Sequence, residues 1–107
     1  GHTSKPMSKT LILLPEARKD IAEAYSWYEE QSFGLGIEFL RCIEATLRSI
    51  QRTPLIYPIT YKTYHRAFTH RFPFSIFYET ESENNCCVIY AVFHCSQDPN
   101  KWHIRMN

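Results

Sequence analysis

The segment 72–94 constrains the fold more than any other part of the chain. It holds two runs of bulky residues with a period of two, 72–80 and Cys86–His94, separated by Glu81-Ser82-Glu83-Asn84-Asn85. Alternating β-branched and aromatic residues predict two strands, and the polar, Asn-rich interval predicts the turn between them. In the first run Phe74, Ile76 and Tyr78 share a face, with Ser75 and Phe77 on the other. In the second, strict alternation puts Val88, Tyr90, Val92 and His94 opposite Cys87, Ile89, Ala91 and Phe93. Both faces are largely apolar, so this is a central strand pair. Basic and imidazole groups punctuate its ends at Arg71 and His94, and a tail with Asp98, Pro99 and Trp102 follows. Packing alone does not call for such groups, so this region is also a candidate working surface.

The upstream chain supplies the cover. Residues 9–14 (KTLILL) form a short apolar run that suits a buried strand. Pro15 followed by Glu16 then reads as a helix entry. Ala17, Ile21, Ala24, Tyr25 and Tyr28 make a helical stripe, with Lys19, Asp20, Glu23 and Glu30 off it. The stripe breaks at 31–36, where Gly34 and Gly36 favour a tight reversal. Phe39, Leu40, Ile43, Leu47 and Ile50 mark a second helix, ended at Thr53-Pro54. The two helices form an antiparallel hairpin whose stripes face a common sheet. Residues 55–62 read as a connector, and Tyr64–Phe68 as a strand. The expected order is β-α-α-β-β-β: an α+β domain with a helical hairpin packed on a mainly antiparallel sheet.

At 107 residues there is room for one domain and one core. The opening GHTSKP reads as an expression remnant (residues 1–6), leaving 7–107 as the domain. No apolar run nears the roughly 20 residues of a membrane span, so no membrane partner is expected. Net charge is +1, which gives no global field for a dedicated duplex-DNA binder. Carboxylates concentrate in 16–44, whereas 62–71 carries Lys62, His65, Arg66, His70 and Arg71 without an acid. Cys42, Cys86, Cys87 and Cys95 show no CxxC spacing and read as free thiols in a reducing cytoplasm. His65, His70, His94, Cys95 and His103 lack the short regular spacing of a metal motif, so no metal or other cofactor is expected.

An ordered set of short pieces resembles the RelE/ParE toxin superfamily of type II toxin–antitoxin systems, in its ParE-like or plasmid stabilisation branch. The pieces are Ala17-x-x-Asp20-Ile21, Trp27-Tyr28, Gly34-Leu35-Gly36-x-x-Phe39, Pro54 and Arg66. They continue through Arg71-Phe72-Pro73-Phe74-x-Ile76-x-Tyr78 and Val92-Phe93-His94 to Asp98-Pro99-x-x-Trp102. The resemblance spans Pro15 to Arg105. It implies a bacterial, growth-inhibiting toxin held inactive by a cognate antitoxin. ParE-type members are associated with poisoning DNA gyrase by binding, and RelE-type members with cleaving mRNA on the ribosome. Fold alone does not choose between these. Antitoxins of this kind commonly wrap the toxin with a strand or an amphipathic helix.

RNA cleavage by 2′-hydroxyl attack requires a base, an acid and cations on the phosphate. Ribonuclease relatives carry an arginine where Ser75 stands here, and their C-terminal catalytic tyrosine aligns with Trp102. Both departures favour a toxin that acts by binding. Arg66, Arg71, His94 and His103 are the candidate catalytic set if their side chains converge. Arg66, Arg71, Tyr78, His94, Asp98 and Trp102 are the candidate binding residues. The plainer readings are that His94 hydrogen-bonds Asp98 or a loop carbonyl, that the arginines pair with helix carboxylates, and that Trp102 plugs the sheet edge. Tyr25, Trp27 and Tyr28 read as helix-to-sheet packing. A ribosome-dependent ribonuclease and an inert family member are the alternatives.

Overall fold

The computed structural model describes residues 9–106; the suggested expression remnant lies outside the described residues. The elements run β1 (Thr10–Leu13), α1 (Pro15–Gln31), α2 (Leu35–Arg52), β2 (Ile59–Tyr61), β3 (Tyr64–Phe68), β4 (Phe74–Glu81), β5 (Cys86–His94) and α3 (Asn100–Met106). The sheet order is β1-β5-β4-β3-β2, with β1 parallel to β5 and the remaining neighbours antiparallel. The β4–β5 pair is thus central, as the two apolar faces of its sequence require. Two short elements depart from the expected order. β2 lies within the predicted connector, and α3 forms from the tail.

The hairpin is built at close quarters. Proline opens α1 and Glu16 follows in its first turn, where a carboxylate favours the positive end of the helix. Gly34 adopts a left-handed φ of 88°, which a side chain disfavours. The Glu29 carboxylate then accepts from the Gly34 and Gly36 amides, both at 2.9 Å, satisfying donors at the start of α2. A Cβ on Gly36 would lie 2.7 Å from the Tyr25 ring. The glycine is therefore needed for contact between the helices, beyond making the turn.

Phe39, Ile43 and Ile50 of α2 are buried on the sheet, each worth about 1.5–3 kcal/mol of transfer free energy. Tyr28, Phe39, Phe72 and Phe74 form an aromatic cluster between hairpin and sheet, with centroids 4.8–6.2 Å apart. Phe72 was expected inside the strand, but β4 begins at Phe74, because Pro73 has no N–H for the ladder.

One register feature overturns the strict alternation read for β5. Phe77 pairs with Ala91 but Tyr78 pairs with Ile89, leaving Tyr90 as the extra residue of a β-bulge. The bulge reverses the facing of everything before it. Cys87 and Ile89 therefore join Val92 in the core beneath the hairpin, while Tyr90 packs with Ala91 and Phe93 on the opposite face.

Candidate functional site

The face of the sheet turned away from the hairpin carries a smaller core. Phe77, Ala91, Phe93 and Met106 are buried there, with Tyr61, Tyr64, Tyr90 and Trp102 around them. α3 folds back over this face. The Asp98 carboxylate accepts from the Asn100 amide at 3.0 Å at the helix start, and Trp102 meets Phe77 with centroids 4.9 Å apart. Trp102 thus lies on the sheet face rather than plugging its edge.

Arg66 is the charged centre of this face. Its guanidinium carbon lies 4.5 Å from the Phe68 ring, 4.7 Å from Trp102 and 5.5 Å from Phe77. Its Nε donates to Ser75 Oγ at 2.8 Å, and that oxygen is 3.6 Å from Cys95 Sγ. Ser75 of β4 is thus bonded to an arginine reaching over from β3. Among the described residues no carboxylate forms an ion pair with Arg66. Its charge rests on aromatic faces, an arrangement suited to an anionic or planar group. At the outer margin Tyr61 connects Trp102 to His103: its hydroxyl is 3.0 Å from His103 Nδ1, and its ring contacts Trp102. Burial, then the nearby Glu79 charge, raises the pKa of the neighbouring Tyr64 phenol above its ordinary value.

The four candidate catalytic side chains do not form one group. Arg66 and His103 belong to this face. His94 lies on the hairpin side, its ring against Phe74 and its Nδ1 bonded by the Ser96 amide at 3.0 Å. The partner is Ser96, not Asp98 or a carbonyl. Arg71 sits in the β3–β4 loop and pairs with Glu38 of α2 at 2.6 Å, so it is a hairpin clasp. Tyr78 is fully buried, donates to the Pro54 carbonyl and stacks on His65. It serves the core and has no surface to offer a partner. Of the tyrosine–tryptophan group on α1, Tyr28 packs on the sheet, but Trp27 is 57% exposed. Among the described residues no three potential ligands gather as a metal set.

Sequence reading missed Asp20 and Arg105 as a working pair. β1 runs beside β5 only as far as Ile89, which leaves the next stretch of that edge without a strand. Asp20 fills part of the gap by accepting from the Val92 amide at 3.0 Å. Arg105 holds the same carboxylate through two bonds, at 2.8 and 2.9 Å, and lies over Phe93. Hydrogen bonding to Asp20 raises the Arg105 pKa above its ordinary value. The sequence signal was Asp20 in the piece Ala17-x-x-Asp20-Ile21, with nothing to connect it to Arg105.

Beside this pair lies a cleft of about 880 Å³ between α1, α3 and the end of β5, with His94 in its wall.

A family model described as "ParE toxin of type II toxin-antitoxin system, parDE" matches residues 11–99. A comparison with curated proteins gave no match. Among solved structures, the chromosomal ParDE toxin–antitoxin system from P. aeruginosa aligns with a TM-score of 0.69 at 15% identity, covering 83% of this chain and 98% of that one. The RelBE2 toxin–antitoxin complex from Mycobacterium tuberculosis gives 0.58 at 18%, covering 81% and 98%. A mutant of the E. coli toxin RelE in the free state gives 0.63 at 11%, covering 92% and 93%. At these identities the structural likeness concerns the fold alone.

Proposed function

The chain belongs to the ParE toxin family of type II toxin–antitoxin systems, and from that premise we propose that it arrests growth by binding a cytoplasmic target such as DNA gyrase, with a cognate antitoxin as its natural inhibitor. The observation that carries the binding reading is the Arg66 site. Its guanidinium is held on Phe68, Phe77 and Trp102, while the serine beside it is buried and bonded. Such a surface offers a charge and aromatic planes to a partner. Catalysis of RNA cleavage requires more: a base and an acid within reach of one phosphate. His94 is on the other side of the sheet, Arg71 is tied to Glu38, and Trp102 has no ionisable hydroxyl. No observation favours the ribonuclease alternative over this one.

The test is induced expression with two assays run side by side, one of gyrase supercoiling with purified protein and one of mRNA integrity in a purified translation reaction. Loss of supercoiling with intact mRNA is the expected result. Specific mRNA cleavage instead assigns the chain to the ribonuclease class, and unimpaired growth with both assays unchanged assigns it to the inert members.

A further inference from the structure

We propose that the Arg66 face carries a regulatory modification site. Cys95 takes up a small anionic thiol of the glutathione class as a mixed disulfide, with a carboxylate of the adduct held on the Arg66 guanidinium. The loss of activity this predicts rests on the reading of Arg66 as the target-binding group; the attachment itself does not.

The seat is built from β3, β4 and the residue that follows β5. The Cys95 amide donates to the Pro73 carbonyl at 2.7 Å, which carries the β4–β5 alignment one step past the Phe74–His94 pair and fixes the direction of the side chain. Alternation puts that side chain on the face of Phe93, away from the hairpin, and its sulfur lies 3.6 Å from Ser75 Oγ. The same oxygen accepts from Arg66 Nε at 2.8 Å, so sulfur and guanidinium flank one buried hydroxyl. Because that bond uses the oxygen as acceptor, the Ser75 proton is free to go to the sulfur. Arg66 spends only its Nε here. Among the described residues its two terminal nitrogens have no hydrogen-bond acceptor and no ion pair. A guanidinium fork of that kind matches a carboxylate through two parallel bonds, and the half-exposed Phe68 ring beneath it offers an apolar bed.

The other cysteines lack this combination. Cys86 and Cys87 are buried, whereas Cys95 is exposed. Cys42 is the rival. Its burial raises the thiol pKa, but the amides of Phe72, Arg71 and His70 outweigh that and leave it below the ordinary value. It lies on the hairpin side of the sheet, however, packed against the larger core, and the nearby Arg71 is already paired with Glu38. An anionic disulfide therefore meets an unpaired cation only at Cys95.

The step is a thiol–disulfide exchange. The Cys95 thiolate attacks one sulfur of the peptide disulfide, the Cys95–sulfur bond forms as the original S–S bond breaks, and the departing thiolate takes up the proton that Cys95 gave up. The disulfide is the oxidant, and no other co-reactant is needed. Exposed mixed disulfides are the labile kind, so a thiol reductant reverses the step. While attached, the adduct neutralises Arg66 and covers the aromatic planes around it.

The experiment treats the reduced full chain with glutathione disulfide and locates adducts by peptide mass spectrometry. A single adduct on Cys95, removed by dithiothreitol, is expected; Cys95→Ser should carry none and Cys42→Ser should retain it. Cystamine, a disulfide with cationic ends, should attach at Cys95 about tenfold more slowly than glutathione disulfide once each rate is divided by that for a model thiol, and the gap should narrow as salt is added. Arg66→Gln, with thermal melts to show that it folds, should close most of that gap. Absence of an adduct at Cys95, or equal normalised rates with the two disulfides in the parent chain, overturns the site. In the gyrase supercoiling assay, attachment should weaken the parent's effect about tenfold or more, and reduction should restore it, while Cys95→Ser should respond the same with and without the disulfide. Full activity of the modified chain overturns the regulatory role and leaves target binding standing. A reduced parent without effect on supercoiling overturns the target reading instead, and the mapping at Cys95 then decides the attachment by itself.

Discussion

Asp20 bears an unusual share of the structure for one carboxylate. It closes an amide left open where β1 ends, and it holds Arg105 through two bonds, so α1, β5 and α3 meet at one side chain. With the Asp20 side chain only 11% exposed, removing it leaves a half-buried guanidinium and an unpaired strand amide. Asp20→Ala should lower the unfolding free energy by about 3 kcal/mol, and Asp20→Asn by less, since the amide oxygen still accepts one of the bonds. Urea denaturation measures both; a loss below about 0.5 kcal/mol for the alanine variant would contradict this role. Tyr90 offers a second residue-scale test. Burial, then its hydrogen bond to Glu79, pushes its phenol up to about 12 from an ordinary 10.0. Above the ordinary value the unfolded chain releases a proton that folded Tyr90 keeps. Folding then binds more protons than unfolding, and stability falls as pH rises between the two values. Tyr90→Phe should flatten that alkaline slope in a pH series of melts.

Elements in this chain are set by a few close approaches. The hairpin depends on Gly36 because the Tyr25 ring fills the space a Cβ needs. Gly36→Ala gains about 1 kcal/mol of helix propensity but forces the ring and Glu29 aside. The overpacking cost of about 1–3 kcal/mol should leave a net loss, read as a lower melting temperature. A gain in stability would mean that Tyr25 swings away freely. The bulge at Tyr90 acts on a larger scale, because one extra residue decides which side chains of β5 reach the hairpin. Alternation read from sequence cannot detect it, since both faces of the strand are apolar and either phase looks acceptable. α3 was equally hidden. Seven residues without a full apolar stripe give little periodic signal, and the helix is held by Trp102, Arg105 and Met106 against surfaces built elsewhere.

At the scale of the whole molecule, the sheet separates the Arg66 face under α3 from the face covered by the helical hairpin. The proposed function assigns target binding to the Arg66 face. Arg66→Gln should relieve growth inhibition on induced expression, at a stability cost of about 1–3 kcal/mol from the lost cation–π contacts and the lost bond to buried Ser75. Full toxicity in that variant, with the protein folded, would remove Arg66 from the target-binding surface.

The amino-acid sequence by itself determined β1, the helical hairpin, β3 and the central β4–β5 pair, but not the short β2 between α2 and β3. Each of these carries its own periodicity and its own stop signal, such as Gly34 or Pro54, and local chemistry suffices to read them. It also supplied the ordered pieces by which the chain resembles its family, Asp98-Pro99-x-x-Trp102 among them. The grouping of those residues was left to tertiary structure. Arg66 reaches Ser75 only because β3 pairs with β4 in one register, and His94 parts from Arg66 because their strands present them to opposite faces. Asp20 finds Arg105 across 85 residues of sequence, since β1 is short enough to leave part of the β5 edge uncovered. Contacts of that separation leave no periodic trace in a chain, because they are set by how the elements stack rather than by what each element is made of.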